Sequence, residues 1–168
     1  MVMAEHREQE WRKLFEDIRK VYHGLISYNT DKYQEHNVKW WDCVDVISSS
    51  GYYPADDWEK QLDRIENVWR IRETVFLAET GCMSTVGSSL RPNDWEVIGD
   101  VSLSEQEEWY RKAFNAMGKR PWVRGAVLWS WNSRLGAEEE AKQHRYYEIY
   151  GKPAEEVVRR FFERGGKL

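Results

Sequence analysis

Apolar residues recur at three- and four-residue spacing near the start of the chain, placing Trp11, Leu14, Phe15, Ile18 and Tyr22 on one stripe of a helix over residues 5–22 that Gly24 ends. A short apolar run over 25–29 then reads as a strand. Residues 30–41 are polar, a loop with room for a short helix, and a second strand over 44–50 stops at the turn Gly51-Tyr52-Tyr53-Pro54. Helical spacing returns through Trp58, Leu62, Ile65 and Trp69, with Asp56 or Asp57 as the cap. A third strand covers 74–78. The loop that follows, to about residue 101, is long enough to expect a function of it. Ser102 or Ser104 caps a helix through Trp109, Phe114 and Met117; a fourth strand over 123–129, a polar loop and a helix over 154–162 complete the plan.

This is one helix followed by four strand–helix units, which predicts an α/β fold with a parallel sheet. The whole of 1–168 suits a single domain, with no internal repeat and no low-complexity linker. Four parallel strands leave two open edges, and their polar and aromatic strand ends have nothing opposite. The plan is that of half a barrel.

Charge narrows the function. With 25 Lys and Arg against 29 Asp and Glu, and the basic residues scattered among acids, the chain lacks the footprint of a nucleic-acid binder. No stretch is long enough to cross a bilayer, and the N-terminal ten residues lack the apolar run of a secretory signal, so a membrane role is not expected and a cytoplasmic setting is. Cys43 and Cys82 are expected to be ordinary thiols. His6, His23, His36 and His144 show no metal-ligand spacing, the residues 81–89 lack the Gly-Lys-Ser/Thr ending of a phosphate loop, and Ser48-Ser49-Ser50 lacks a nucleophile elbow. No metal and no cofactor is expected.

Two features point toward chemistry. In Thr74-Val-Phe-Leu-Ala-Glu-Thr-Gly-Cys82 an apolar run delivers a carboxylate, Glu79, to a strand end and breaks at once into a loop, where ligand crevices of parallel α/β folds lie. The chain also carries 10 Trp, 9 Tyr and 5 Phe, many beside polar residues and loop signals, a composition suited to stacking on sugar rings. Trp11, Trp69 and Trp109, set in helical patterns, are expected in the core.

Several segments together carry a resemblance: Trp11-Arg12, Ile18-Arg19-Lys20-Val21-Tyr22-His23-Gly24, Ser27-Tyr28-Asn29, Trp41-Asp42, Asp45-Val46-Ile47, Gly51-Tyr52-Tyr53-Pro54, Phe76-Leu77-Ala78-Glu79-Thr80-Gly81 and Gly125-Ala126-Val127-Leu128-Trp129-Ser130-Trp131. In order and spacing they resemble the C-terminal half of clan-A glycoside hydrolases, closest to the family 113 β-mannanases, which are retaining (β/α)8 barrels. The resemblance implies barrel strands five to eight, Glu79 as nucleophile, and a substrate of β-linked mannan or related oligosaccharides. It also implies that the acid/base Glu of strand four has no counterpart here, so the isolated chain is expected to be weak or inactive. Glu5 and Glu10, near that point in sequence, fall in the helix pattern and read as solvated helix carboxylates.

Further roles follow from the resemblance. Tyr52 or Tyr53 is the expected hydrogen-bond donor to Glu79. Trp129 and Trp131 alternate faces if both lie on a strand, so one of them, Trp129 by preference, is the sugar platform. Asn29 and Asp31 could bind sugar hydroxyls, although an Asn-Thr-Asp turn explains them equally well. Trp40, Trp41 and Asp42 suit either a rim or helix packing. The open edges imply self-association or pairing with a complementary half barrel. The alternative to an enzyme fragment is a noncatalytic carbohydrate-binding or structural half barrel.

Overall fold

The computed structural model describes residues 6–69 and 74–165, the side chain of Trp69 excepted. The expectations for Glu5 and for the Trp69 side chain fall outside what is described. Four strands, β1 (Ser27–Thr30), β2 (Val46–Gly51), β3 (Val75–Thr80) and β4 (Val123–Leu128), form one sheet in the order β1-β2-β3-β4, every pair parallel. Among the described residues β1 and β4 each have one strand neighbour, so their outer edges are open.

Helices cover one face of the sheet. They are α1 (Glu8–Val21) before β1, α2 (Trp58–Trp69) between β2 and β3, α3 (Leu103–Gly118) between β3 and β4, and α5 (Pro153–Glu163) after β4; the short α4 (Glu138–Ala141), also after β4, buries no residue. Parallel strands demand such crossovers, and a constant crossover hand keeps the helices on one side. The first crossover is the exception, made of two 3₁₀ turns (Glu35–Asn37 and Trp41–Cys43) instead of an α-helix. Its sequence has no helical apolar period, and Tyr33 adopts a left-handed backbone with φ 70°, which stops a helix from propagating.

Local signals explain the element ends. Ser102 caps α3, its Oγ accepting from the Glu105 N–H at 3.3 Å, and Pro153 opens α5 where its missing N–H costs nothing. Asp56 accepts from Lys112 of α3 at 2.7 Å, so its carboxylate links the start of α2 to α3. The short α4 lies in what the sequence pattern marks as polar loop; Glu138, Glu139 and Glu140 sit in its first turn, where the helix dipole favours negative charge.

The core fills the space between sheet and helices. Trp40, Trp58, Trp109, Tyr53, Tyr110 and Phe114 are fully buried there, with Ile47, Leu62, Ile65 and Leu77. Trp58 meets Trp109 edge-on at 5.4 Å, and the Trp109 indole donates to the Tyr53 carbonyl at 2.8 Å. Trp40 and Trp41 are buried in the same core while Asp42 is exposed and accepts from Arg12 at 2.7 Å, so this trio packs and pairs and forms no rim. Trp11 packs against the core from α1, meeting Tyr28 of β1 at 4.8 Å. With Tyr28 turned to the helices, Ser27 and Asn29 fall on the opposite, open face, where the Ser27 hydroxyl lies 2.5 Å from that of Ser48.

Candidate active site

The C-terminal ends of β2, β3 and β4 meet around Glu79. Alternation along β3 would send Glu79 to the helix-covered side with Val75 and Leu77, both fully buried in the core. A bulge prevents this. Leu77 pairs with Ser49 and Glu79 with Ser50, so Ala78 has no partner on β2, and the β3–β4 register shifts over the same stretch. Such a bulge re-aims a side chain, and the half-buried Glu79 reaches the loop-side cluster of Tyr52, Met83, Val97 and Tyr147 instead.

The two neighbouring tyrosines diverge. Tyr52 donates its hydroxyl to Glu79 Oε2 at 3.2 Å, whereas Tyr53 turns into the core and donates to Glu35 Oε1 at 2.9 Å. Tyr53, expected as a donor to Glu79 or a sugar contact, is fully buried and occupied elsewhere. Burial first, and the Glu79 charge second, push the Tyr52 phenol well above its ordinary pKa, so it stays protonated and remains a donor. Its ring is backed edge-on by Tyr147 at 6.4 Å, whose own hydroxyl donates to the Pro92 carbonyl at 2.8 Å. Tyr147 has no signal in the sequence beyond being an aromatic in a polar loop.

Trp129 meets the two residues that follow Glu79 through its backbone. Its N–H donates to the Thr80 carbonyl at 2.8 Å, and its own carbonyl presses so close to Gly81 that an added Cβ there would sit 2.3 Å away. Gly81 is therefore the residue that lets the ends of β3 and β4 converge. The peptide between Trp129 and Ser130 is cis. The strand ends at Leu128, so the alternation expected of Trp129 and Trp131 does not apply: both are half exposed, at 49% and 52%, and Trp131 meets Tyr150 edge-on at 6.2 Å. Asn29, exposed on β1 and paired with Ser48, is separated from β3 by the width of β2. Asp31 follows β1 and its carbonyl closes a turn with the Gln34 N–H at 3.1 Å.

Two buried charges lie near the site without joining it. Glu35, fully buried, accepts from Ser49 at 2.7 Å, from Tyr53, and from Arg64 at 2.7 Å. Burial works to raise its pKa, but the Arg64 and Ser49 hydrogen bonds overcome it and hold the carboxyl below the usual range. Lys152 donates to the Ser84 hydroxyl at 3.0 Å and the Tyr146 carbonyl at 3.3 Å, tying the loop after β4 to the loop after β3. Its burial lowers the ammonium to about 8, against the opposing charge of Glu148. Among the described residues no group of three or more His, Cys, Asp or Glu side chains could hold a metal ion, and no helix is long and apolar enough to cross a membrane.

Comparison with known proteins places the fold. A structure of a GH113 β-1,4-mannanase matches with a TM-score of 0.92 and 49% identity over 97% of this chain and 53% of that one. The GH113 β-mannanase AaManA from Alicyclobacillus acidocaldarius, in complex with ManMIm, matches at 0.90 and 41% identity over 96% and 52%. A β-D-glucuronidase from Dictyoglomus thermophilum, 16% identical, shares the fold at a TM-score of 0.66 over 93% of this chain and 29% of its own. No curated protein matches by sequence. The chain thus spans about half the length of the mannanases it resembles, and its four strands are half of their (β/α)8 barrel. The family profile of Glycoside Hydrolase Family 113 covers residues 1–152, and with that extent of agreement the chain belongs to glycoside hydrolase family 113.

Proposed function

We propose that Glu79 is the nucleophile of a retaining glycoside hydrolase site for β-linked mannan or related oligosaccharides. The observation that carries this reading is the carboxylate at the end of β3 held by the Tyr52 hydroxyl, in a chain of family 113 whose structural relatives are β-1,4-mannanases. Glu79 attacks the anomeric carbon, the bond from that carbon to the leaving oxygen breaks with its electron pair, and water later displaces the carboxylate to release the sugar. Tyr52 orients the attacking carboxylate and remains protonated throughout. Trp129, Trp131, Asn29 and Asp31 are the sugar contacts of this reading.

Retaining hydrolysis needs a second carboxyl group about 5–5.5 Å from the first to protonate the leaving oxygen. Glu10 is unsuited to that role, because it is exposed on α1 and accepts from Arg7 at 3.3 Å. The 168-residue polypeptide by itself is therefore expected to turn over natural substrates poorly, since general acid catalysis contributes about 10²–10⁴-fold. Its open β1 and β4 edges invite closure by a complementary half barrel or by a second copy related by a two-fold axis along the barrel. Light scattering reads this directly: a paired species is expected, and a stable monomer at micromolar concentration rejects self-pairing.

Dinitrophenyl 2-fluoroglycosides test the nucleophile, because their leaving groups need little acid assistance. Intact mass should rise by one fluoromannosyl group, and peptide mapping should place it on Glu79. Folded protein that takes no label from any sugar would favour a noncatalytic carbohydrate-binding half barrel.

A further inference from the structure

The loops after β3 and β4 are laced together beside the Glu79–Tyr52 pair. Ser84 donates its N–H to the Tyr146 carbonyl at 3.2 Å and its hydroxyl to the His144 carbonyl at 2.8 Å, and the Thr85 hydroxyl donates to the Arg145 carbonyl at 2.6 Å. Gln106 of α3, fully buried, donates to the Cys82 carbonyl at 2.8 Å and to the Tyr147 carbonyl at 3.3 Å. Lys152, 3% exposed at the entry to α5, completes the lacing through the Ser84 hydroxyl and the Tyr146 carbonyl. The residue held in place by these bonds is Tyr147. Its ring meets Tyr52 edge-on, its Cδ1 lies 3.1 Å from where a Cβ on Gly81 would stand, and its hydroxyl is fixed on the Pro92 carbonyl. Tyr147 thus touches both the donor to Glu79 and the second residue after Glu79, so a shift of residues 144–147 disturbs both flanks of the carboxylate.

Stability alone does not account for an ammonium at this point. Burial strips it of water, and its acceptors are not orphaned without it: the Tyr146 carbonyl also accepts from Ser84 and Gln106, and the Ser84 hydroxyl is engaged as a donor. An apolar side chain of similar length would join the two loops as well. The ammonium adds direction. It reaches both loops from the start of α5, a helix packed on α3, and so fixes the lacing to the rigid part of the fold. We infer that Lys152 is a positioning residue for the nucleophile, holding Tyr147 against Tyr52 and thereby setting the aim of the Glu79 carboxylate. The inference rests on the reading of Glu79 as nucleophile.

The test follows labelling of the 168-residue protein by a dinitrophenyl 2-fluoromannoside over a range of reagent concentrations, which separates the rate constant at saturation from the affinity for the reagent. Lys152→Met removes the donors and keeps the length of the side chain. It is expected to slow the saturated rate about 3-fold, with reagent affinity unchanged and the urea midpoint kept or raised. A loop staple without influence on Glu79 would instead lower the midpoint and leave the saturated rate alone, and that result overturns the inference. Lys152→Arg, which restores donors, should recover part of the rate. A cycle with Tyr52→Phe tests the route: Lys152→Met should add nothing once the Tyr52 hydroxyl is gone, and slowing by the same factor in both backgrounds overturns it. Should Lys152→Met not fold, Tyr147→Phe, which frees the ring from the Pro92 carbonyl, takes its place in the cycle with an expected slowing of about 2-fold. Parent protein that takes no label rejects the nucleophile reading itself, whereas a labelled parent matched in rate by Lys152→Met rejects the positioning role alone.

Discussion

Glu79 and Glu35 are two carboxylates held by two adjacent tyrosines, and they differ in nearly everything else. Glu35 is sealed: Ser49, Tyr53 and Arg64 donate to it, and Tyr33 lies over Tyr53 at 5.5 Å with the Arg64 guanidinium 5.5 Å from the Tyr33 ring. Glu79 is half buried and takes the Tyr52 hydroxyl at the mouth of the sheet. A carboxylate matched by a cation and two hydroxyl donors is a structural fixture, because its charge is already spent on partners it cannot leave. A carboxylate oriented by one neutral donor, with access to solvent, retains the charge and the room to attack carbon.

The largest effect expected from breaking this contrast is at Glu79. Glu79→Gln should lower the rate of fluoroglycoside labelling on the order of 10³-fold or more, read by intact mass, and change urea stability by less than about 1 kcal/mol. Arg64→Met should do the reverse. It leaves a buried carboxylate without its cation, costing about 3 kcal/mol in urea unfolding, while labelling of the folded protein at Glu79 proceeds at the parent rate. Parent-like stability in Arg64→Met would show that Glu35 is not held as described.

The tyrosines sharpen the same comparison. Tyr52→Phe removes the donor to Glu79 and should slow labelling about 5- to 10-fold with little change in stability, whereas Tyr53→Phe should cost about 1–2 kcal/mol of stability and leave labelling alone. Similar consequences for the two variants would erase the distinction between the sites.

The smallest effects are in pH dependence, where the two buried charges act in separate windows. The Glu35 carboxyl is held below its unfolded value, so its contribution is complete above the ordinary carboxylate pKa of about 4.3 and is lost as pH falls through the folded one. Glu35→Gln should flatten that acid slope in denaturant titrations. The Lys152 ammonium is lowered to about 8 in the folded state. Between there and its unfolded value of about 10.4 the unfolded chain holds more protons, so this residue's contribution makes stability rise with pH across that interval. Lys152→Met should remove the rise, measured by unfolding between about pH 7.5 and 10.

Much of the fold is legible along the chain. Trp58, Leu62 and Ile65 recur at helical spacing and all three are buried, and the apolar run into Glu79 is the strand it reads as. Asp56 shows where local reading stops: a good capping residue in sequence, it pairs with Lys112, 56 residues away. The aromatic surplus is likewise ambiguous from sequence. Trp40, Trp41, Trp58, Trp109 and Trp122 are buried while Trp95, Trp129 and Trp131 are exposed, and neighbouring residue types do not distinguish the groups.

The alternation of strands and helices, the parallel sheet, the family and the placement of a carboxylate at the end of β3 can all be read along the chain, because they depend on local periodicity and the order of segments. The direction in which that carboxylate points, and the tyrosine it meets, come from strand pairing. Strand alternation alone would turn Glu79 toward the helices, and only the mismatch of β3 with both its neighbours, which leaves Ala78 unpaired on β2, delivers it to Tyr52. A bulge is a property of two strands in register, and neither strand's sequence contains it.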